Sequence, residues 1–228
     1  SSRVRKAADV LRRLGRSQTF FLSSSIAYYE HEKASVLAPE FRRRCAGLDS
    51  HDIVLEMYGD LKRACPEADF LQQLTYIELR LRLPELLLMR VDKMSMLNGV
   101  EVRVPFLDGD LVDFALSVPR GFKLRDGVLK EPLKRLAARH VPRSSVYRPK
   151  SGFGVPIQEW FRSELAQDMR DLLREDAASF QAYFDLKALR RKLDEGTPTV
   201  NDAFQLWVVY NFLQWRRSFW ESRPRQAA

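Results

Sequence analysis

The chain has 228 residues, of which 45% are hydrophobic and 11% are aromatic. A chain of this length and composition can bury a core, which excludes a disordered polypeptide. The formal net charge of +8 favours an anionic partner. No recognisable nucleic-acid-binding module accompanies the charge, so a nucleotide is the first interpretation and nucleic acid the second.

Cysteine usage and hydropathy indicate the compartment. The two cysteines, Cys45 and Cys65, form neither a disulfide framework nor a metal-ligand pattern with the three scattered histidines. Free thiols are typical of a reducing compartment, so we expect a cytoplasmic protein. No apolar run reaches the length of a membrane span and no signal-peptide core begins the chain, so we expect no membrane partner.

The first third of the chain predicts short helices. Residues 1–15 repeat apolar side chains at helical spacing among arginines and lysines. That pattern suits either a solvated outer face or a surface for polyanions or membranes. Residues 35–65 predict short helices that are broken by turn-forming residues. Residues 69–83 favour a helix, although the alternation over residues 78–83 also suits a strand.

Prolines and capping residues divide the rest of the chain into further helices. Pro84 opens one helix, because proline is well placed in a first turn. Asp108 caps another helix, which ends before Pro119. Four more helices are predicted over residues 129–138, from Pro156 through Leu172, over residues 185–193, and after an Asn201 cap. The last of them is apolar nearly all round, so we expect it to be buried or to dock on another surface.

Residues 90–108 concentrate charge around one bend. Gly99 fits the position just after a helix end, where a positive φ is easy for glycine. Valines then alternate with charged residues over 100–104, which is the pattern of an extended segment. We expect Glu101 and Arg103 to be paired and largely buried. Such a group of charges forms either a structural salt-bridge cluster or the wall of a polar site, and the residues alone leave both open.

A glycine-rich loop follows at residues 147–156. Lys150 is the cation within its glycine-rich part, and Gly152 leaves backbone open to a ligand. A lysine on such a loop suits an oligophosphate, because its ammonium group can meet oxygens from several directions. A mobile surface loop explains the same residues, and both interpretations stay open.

Two long motifs occur in order along the chain. They are Val91-Asp-Lys-Met-Ser-Met96 continued by Gly99-Val-Glu-Val-Arg-Val-Pro-Phe-Leu-Asp108, and Tyr147-Arg-Pro-Lys-Ser-Gly-Phe-Gly-Val-Pro156. Together they resemble the synthetase domain of glutamine-dependent asparagine synthetases, and the resemblance covers most of residues 70–165. It implies ATP and Mg²⁺ as cofactors. It also implies that aspartate is activated to an aspartyl-adenylate, which ammonia from glutamine then attacks.

The resemblance implies roles for individual residues. Lys150 would be catalytic, stabilising the charge that develops when aspartate attacks the α-phosphorus. Contacts to ATP or substrate would come from Arg90, Lys130 and Gly152. The residues that would shape and support the site are Asp92, Glu101, Arg103 and Asp108. Glu85 lies near the position of a family acid, with a spacing that differs by one or two residues. No metal ligand is assigned within the chain.

Several family features do not occur in this sequence. The N-terminal glutaminase cysteine and the Ser-Gly-Gly-x-Asp-Ser pyrophosphate loop are both absent from it. The resemblance therefore implies a mainly α chain, the helical C-terminal portion of an α/β adenine-nucleotide domain of the ATP-pyrophosphatase type. Its parallel sheet would lie upstream. Residues 1–165 would form that portion, and residues 166–228 a helical extension packed on it.

The expected function is that of a fragment or subunit of an asparagine synthetase, inactive without an upstream synthetase and glutaminase portion. Its small-molecule partners would be ATP, aspartate and ammonia from glutamine, and a homodimer is compatible with the sequence. One alternative is a related ATP-dependent amidotransferase or a β-lactam-synthetase-like enzyme that acts on another acid. An alternative of another class is a non-catalytic helical interaction module.

Overall fold

The structure, a computed structural model, describes residues 27–125, 128–149, 154–194 and 198–220. These residues are mainly helical, and their extended strands form one antiparallel hairpin of Leu124–Arg125 and Val128–Leu129. The mainly α prediction is therefore confirmed, while the parallel sheet expected upstream stays a prediction. Among the helices so described, none is long and apolar enough to cross a membrane.

The described residues form two compact units. The central unit, central in sequence, contains those from 53 to 149, and the flanking unit contains residues 27–52 and 154–220. The predicted division at residue 165 concerns family portions and stays a prediction. The helices of the flanking unit are Glu30–Lys33, Pro39–Arg44, Ile157–Trp160, Glu164–Glu175, Ala177–Phe180, Leu186–Asp194 and Val200–Trp215, with a π-helix at Arg216–Trp220.

Helix Glu164–Glu175 builds much of the core of the flanking unit. Its residues Ala166, Met169, Leu172 and Leu173 recur at three- and four-residue spacings, so they share one face, and all four are buried. The other buried members of this core are Val36, Phe161, Phe180, Leu189, Leu193, Ala203, Leu206, Val209 and Leu213. Removing these side chains from water is the main favourable contribution to folding of this unit.

The helix predicted from Pro156 through Leu172 is interrupted. A turn at residues 161–163 separates two helices, and Ser163 leaves the helical region with φ −134° and ψ −110°. Phe161 is buried at this turn. The turn lets an aromatic ring enter the core, a tertiary requirement that helical periodicity does not reveal.

The last long helix, Val200–Trp215, begins at a different cap from the one predicted. Thr199 is the cap, and Asn201 lies within the first turn. The Thr199 hydroxyl accepts a hydrogen bond from the N–H of Asp202 at 3.2 Å, and the Asp202 carboxylate accepts one from the N–H of Thr199 at 3.2 Å. This reciprocal capping box satisfies two backbone donors, whereas a single Asn cap satisfies one.

One face of this helix is buried in the core of the flanking unit, while Val208 and Trp215 are exposed. Five of its residues are buried, and one of them is the polar Gln205. The Gln205 side-chain amide donates to the carbonyl of Ala27 at 2.9 Å, and the Tyr28 hydroxyl donates to the carbonyl of Gln205 at 3.2 Å. Burial is the main cause that raises the pKa of Tyr28, with Glu32 and Asp202 adding to it. These bonds join residues far apart in sequence within the flanking unit.

Helix Ser50–Ala64 begins in the flanking unit and continues along the chain into the central unit. The further elements of the central unit are the α-helices Phe70–Ile77, Met89–Met96, Gly109–Ser117, Arg120–Lys123, Glu131–Ala137 and Arg143–Val146, the π-helix Glu78–Leu88, and the 3₁₀-helix Pro105–Leu107. The predicted cap at Asp108 is confirmed, because its carboxylate accepts a hydrogen bond from the N–H of Leu111 at 3.3 Å.

Pro84 does not open a helix, which corrects the prediction. It lies inside the π-helix Glu78–Leu88, so helical structure continues from Phe70 to Met96. Proline lacks an N–H and its ring clashes with the carbonyl four residues earlier in an α-helix. The wider π turn accommodates this defect, because its hydrogen bonds connect residues five apart. The strand alternative for residues 78–83 is wrong, because these residues belong to the same π-helix.

The central unit has a small core and a large exposed apolar surface. Its buried cluster consists of Val54, Tyr58 and Ile77. Large apolar side chains stand exposed over the following residues of the bend and its neighbouring helices: Met89, Val91, Met94, Met96, Leu97, Val100, Val102, Val104, Phe106, Leu111 and Phe114. Exposed apolar surface of this extent is more often an interaction surface than a surface that stays in contact with solvent.

Candidate functional site

The bend after helix Met89–Met96 is formed by a Schellman motif. The N–H of Gly99 donates to the carbonyl of Met96, and the N–H of Val100 donates to that of Ser95, both at 3.0 Å. Gly99 has φ +67°, so the predicted positive φ is confirmed. These bonds satisfy carbonyls that a helix end leaves open, and they fix the direction in which the following extended segment leaves the helix.

Glu101 and Arg103 form an ion pair just after this bend. The predicted pairing is confirmed, but the predicted burial is wrong: the two side chains are 66% and 85% exposed. They lie two residues apart in an extended segment, so they share one face, and no described residue covers that face. Alternation along an extended segment predicts that the two side chains share one face, but it does not predict whether another element covers that face.

Helix Met89–Met96 presents Arg90 and Asp92 to solvent. Within the described residues neither side chain forms an ion pair with the Glu101–Arg103 pair. Glu85, in the preceding π-helix, is also exposed. The structure therefore brings together one charged pair of the predicted site and leaves its neighbours open to a ligand or a covering layer.

Lys130 has the one positive φ among the described non-glycine residues, at +59°. It stands immediately before helix Glu131–Ala137, at the N-cap position. A residue with a β-carbon held in the left-handed region stores strain, which structures retain mainly at functional sites and tight turns. Lys150 and Gly152 lie outside the described residues, so their roles stay predictions.

A shallow apolar depression of about 320 Å³, open to solvent, lies beside Lys130 in the central unit. Sequence reasoning missed it, because its wall comes from two helices that only the fold brings together. Next to it, Lys134 and Arg143 both lie over the ring of Tyr147, at 5.6 Å and 4.8 Å from the centroid.

A polar cleft of about 500 Å³ lies in the flanking unit. Lys192 and Asp202 form an ion pair in its wall at 2.9 Å. Partial burial acts to raise the pKa of Asp202, but hydrogen bonds from Thr199 and Lys192 outweigh it, so the pKa lies below its ordinary value. These groups satisfy one another, which favours a structural role for the cleft.

Within the described ranges, no three histidine, cysteine, aspartate or glutamate side chains come together as a metal site requires. Exposed cations are instead the common feature of the central unit around the bend, where Arg90, Lys93 and Arg103 are all exposed. That arrangement suits phosphate or carboxylate oxygens.

Comparison with known proteins identifies the family of this chain. A family model described as asparagine synthase matches residues 2–217, which include the bend and the glycine-rich loop at residues 147–156. The chain belongs to the asparagine synthase family, and the resemblance inferred from the two motifs is thereby confirmed.

Several curated proteins are similar to part of this chain. Asparagine synthetase [glutamine-hydrolyzing] 1 of Bacillus subtilis is 29% identical over 145 residues, covering 64% of this chain and 23% of that protein. A putative asparagine synthetase [glutamine-hydrolyzing] of Mycobacterium bovis is 35% identical over 138 residues, covering 59% and 21%. The asparagine synthetase [glutamine-hydrolyzing] of Gallus gallus is 32% identical over 100 residues, covering 40% and 18%. The chain thus spans less than a quarter of the length of these relatives. No solved structure gives a significant match.

Exposure of the charged pair leads to a stability prediction. Glu101→Ala is expected to shift the melting temperature of this chain little, because a solvent-exposed ion pair contributes roughly 0–1 kcal/mol. A thermal melt of the chain alone measures this, with Glu85→Ala as an exposed acidic control. A loss of several kcal/mol, as expected for breaking a buried pair, would contradict the exposed geometry.

Proposed function

We propose that this chain is the helical portion of a glutamine-dependent asparagine synthetase. Joined to an upstream synthetase and glutaminase portion in the cytoplasm, it takes part in ATP-dependent amidation of aspartate through an aspartyl-adenylate. The relatives described above are named asparagine synthetases, and this favours aspartate over another acid as the substrate.

One observation carries the proposal: the charged bend of the family motif is formed, but no described residue covers it. The Schellman turn at Gly99 is formed and Glu101 pairs with Arg103, yet the pair and its apolar neighbours are exposed. Large exposed apolar patches mark surfaces that another element covers. An upstream α/β portion would bury the apolar residues and place the charges at the rim of a nucleotide site.

The residues of this chain fit part of an ATP site. Exposed Arg90 would hold a carboxylate or phosphate, and Lys130 would add a second cation. Lys150 would stabilise charge on the α-phosphate oxygens during adenylation. Asp108 keeps its role as a helix cap and thereby fixes the end of the bend. ATP supplies the activated phosphorus when bound, and Mg²⁺ would be held chiefly by residues of the upstream portion.

Reconstitution tests the proposal. The chain is fused to, or mixed with, the upstream portion of the Bacillus subtilis relative, and asparagine and pyrophosphate are measured with ATP, Mg²⁺, aspartate and either glutamine or ammonia. The assembled protein is expected to form both products in equal amounts, whereas each part alone forms neither. Asparagine formation by this chain alone would contradict the proposed need for an upstream portion.

A control separates failure of assembly from failure of chemistry. Association of the two parts is measured by sedimentation before activity is assayed. A stable, well-folded complex that consumes neither ATP nor aspartate would contradict the proposed function. Activity with another acid, and none with aspartate, would favour the related-amidotransferase alternative.

A further inference from the structure

Helix Gly109–Ser117 leaves apolar side chains exposed within the described part of the chain. Leu111 and Phe114 lie three residues apart, so they share one face of the helix, and they are 40% and 66% exposed. Asp110 lies four residues before Phe114 and is its neighbour on the helix surface. We call the surface of Asp110, Leu111 and Phe114 the acidic helix face. Its apolar side chains gain stability when another element removes them from water.

The surroundings of this face are negatively charged, although the whole chain has a formal net charge of +8. Residues 104–119 contain three aspartates, which are Asp108, Asp110 and Asp113, and neither lysine nor arginine. Asp110 and Asp113 are exposed, and neither forms an ion pair with another described residue. The segment that suits this face therefore combines apolar side chains with positive charge.

Residues 1–15 have this combination. Apolar side chains recur in them at helical spacing, at Val4, Ala8, Leu11 and Leu14. The segment has five lysines and arginines and one acidic residue, Asp9. In a helix of about 3.6 residues per turn, Arg5 and Arg12 lie along one border of the apolar stripe, whereas Asp9 lies on the opposite side. The charges beside the stripe are therefore complementary to the acidic helix face.

Length and composition favour this segment over the rest of the chain outside the described residues. Residues 1–26 are the longest such segment, and residues 221–228 contain no large apolar side chain. A single helix of about 15 residues is only marginally stable in water, so its apolar stripe needs a partner surface. Residues 16–26 connect the segment to Ala27 and can span at most roughly 40 Å, so they permit contact with either unit. Two copies of the acidic helix face would repel each other, which disfavours a symmetric contact between chains.

We propose that residues 1–15 form an amphipathic helix that docks on the acidic helix face of the same chain. The apolar stripe of this helix contacts Leu111 and Phe114, and its bordering arginines lie on the side of Asp110. The small side chain of Ala8 lets the two helices approach closely enough to enclose the Phe114 ring. The contact is independent of the proposed function, because it forms within this chain alone, whereas the upstream portion would cover the bend.

Hydrogen exchange of the full chain tests the contact. The amides of residues 4–14 are expected to exchange at least about tenfold more slowly than in a synthetic peptide of residues 1–15, because docking holds the helix closed. Phe114→Ala is expected to reduce this protection by about fivefold to tenfold, since it removes the ring that the stripe covers. Phe122→Ala is the matched control: Phe122 is 65% exposed but lies outside the acidic helix face, so protection should stay unchanged. A thermal melt verifies that each variant is folded.

Charge reversal tests the orientation of the docked helix. Arg12→Glu is expected to reduce the protection of residues 4–14 by about twofold to fivefold, as suits an ion pair at the rim of a contact. Arg13→Glu makes the same change on the far side of the helix and should have no effect. Asp110→Lys should act like Arg12→Glu, and the two changes together should restore part of the protection, because the reversed charges attract again.

Four outcomes would overturn the proposal. Exchange of residues 4–14 at the rate of the peptide would show that the segment is not docked. Equal effects of Phe114→Ala and Phe122→Ala, or no effect of either, would place the contact elsewhere. Protection that rises with protein concentration, together with association in sedimentation, would assign the face to a second copy. Protection that requires vesicles containing phosphatidylglycerol would assign residues 1–15 to a membrane surface.

Discussion

Lys150→Ala is expected to lower the rate of pyrophosphate release by about a hundredfold to a thousandfold in the reconstituted synthetase. Negative charge develops on the phosphate oxygens during adenylation, and loss of one preorganised donor from such a site has effects of this size. Because the interaction strengthens in the transition state, kcat should fall more than the apparent affinity for ATP. The rate is measured at saturating ATP, aspartate and ammonia.

Two comparisons show whether the effect belongs to the charge at this position. Lys150→Arg should restore part of the rate, because the guanidinium group keeps the charge but differs in shape. Lys62→Ala removes an exposed lysine from helix Ser50–Ala64 and should leave the rate unchanged. Near-parental turnover of Lys150→Ala, with an unchanged thermal melt, would make Lys150 a loop residue without a catalytic role.

Phe180→Ala is expected to destabilise the flanking unit by about 3 to 5 kcal/mol. Phe180 is fully buried at the end of a short helix, in the core that joins the long helices of this unit. Truncation removes the ring's contribution from burial and leaves a cavity that a closely packed core closes only in part. Denaturant unfolding followed by tryptophan fluorescence reports on this unit, since Trp160 and Trp207 lie 6.2 Å apart within it.

Phe219→Ala is the matched control for Phe180→Ala. Phe219 belongs to the same unit, but 65% of its surface is exposed. Its truncation is expected to change the free energy of unfolding by less than about 1 kcal/mol, because little apolar surface returns to water. Similar losses in the two variants would contradict the assignment of Phe180 to the core.

Local signals predicted the helix ends best. The Asp108 cap and the Gly99 turn depend on residues within one or two helical turns, so residues close in sequence are sufficient to predict them. The prediction that Pro84 starts a helix was wrong, because a nearby sequence pattern does not decide how a proline is accommodated. A proline within a long apolar pattern has two outcomes, a new helix or a widened turn, and only packing over the whole segment decides between them.

Burial and cavities were less predictable than helix ends. Glu101 and Arg103 pair because they are near in sequence, but their burial depends on whatever covers them, which no local pattern specifies. The shallow apolar depression beside Lys130 is formed by two helices and the turn between them, so no single local pattern specifies it. The motifs identified the asparagine synthase family, while the ligand contacts of their residues stay predictions.

The turn at Gly99 restricts the chain by handedness and not by space. A β-carbon built on Gly99 would meet no atom within 4 Å, so there is room for a side chain. The φ of +67° is nevertheless one that L-amino acids avoid and their mirror images prefer. Among the encoded amino acids this leaves glycine first and asparagine next, whereas a D-residue would fit both the space and the backbone. The handedness of L-amino acids thus determines that the turn leading into the charged bend forms at the glycine.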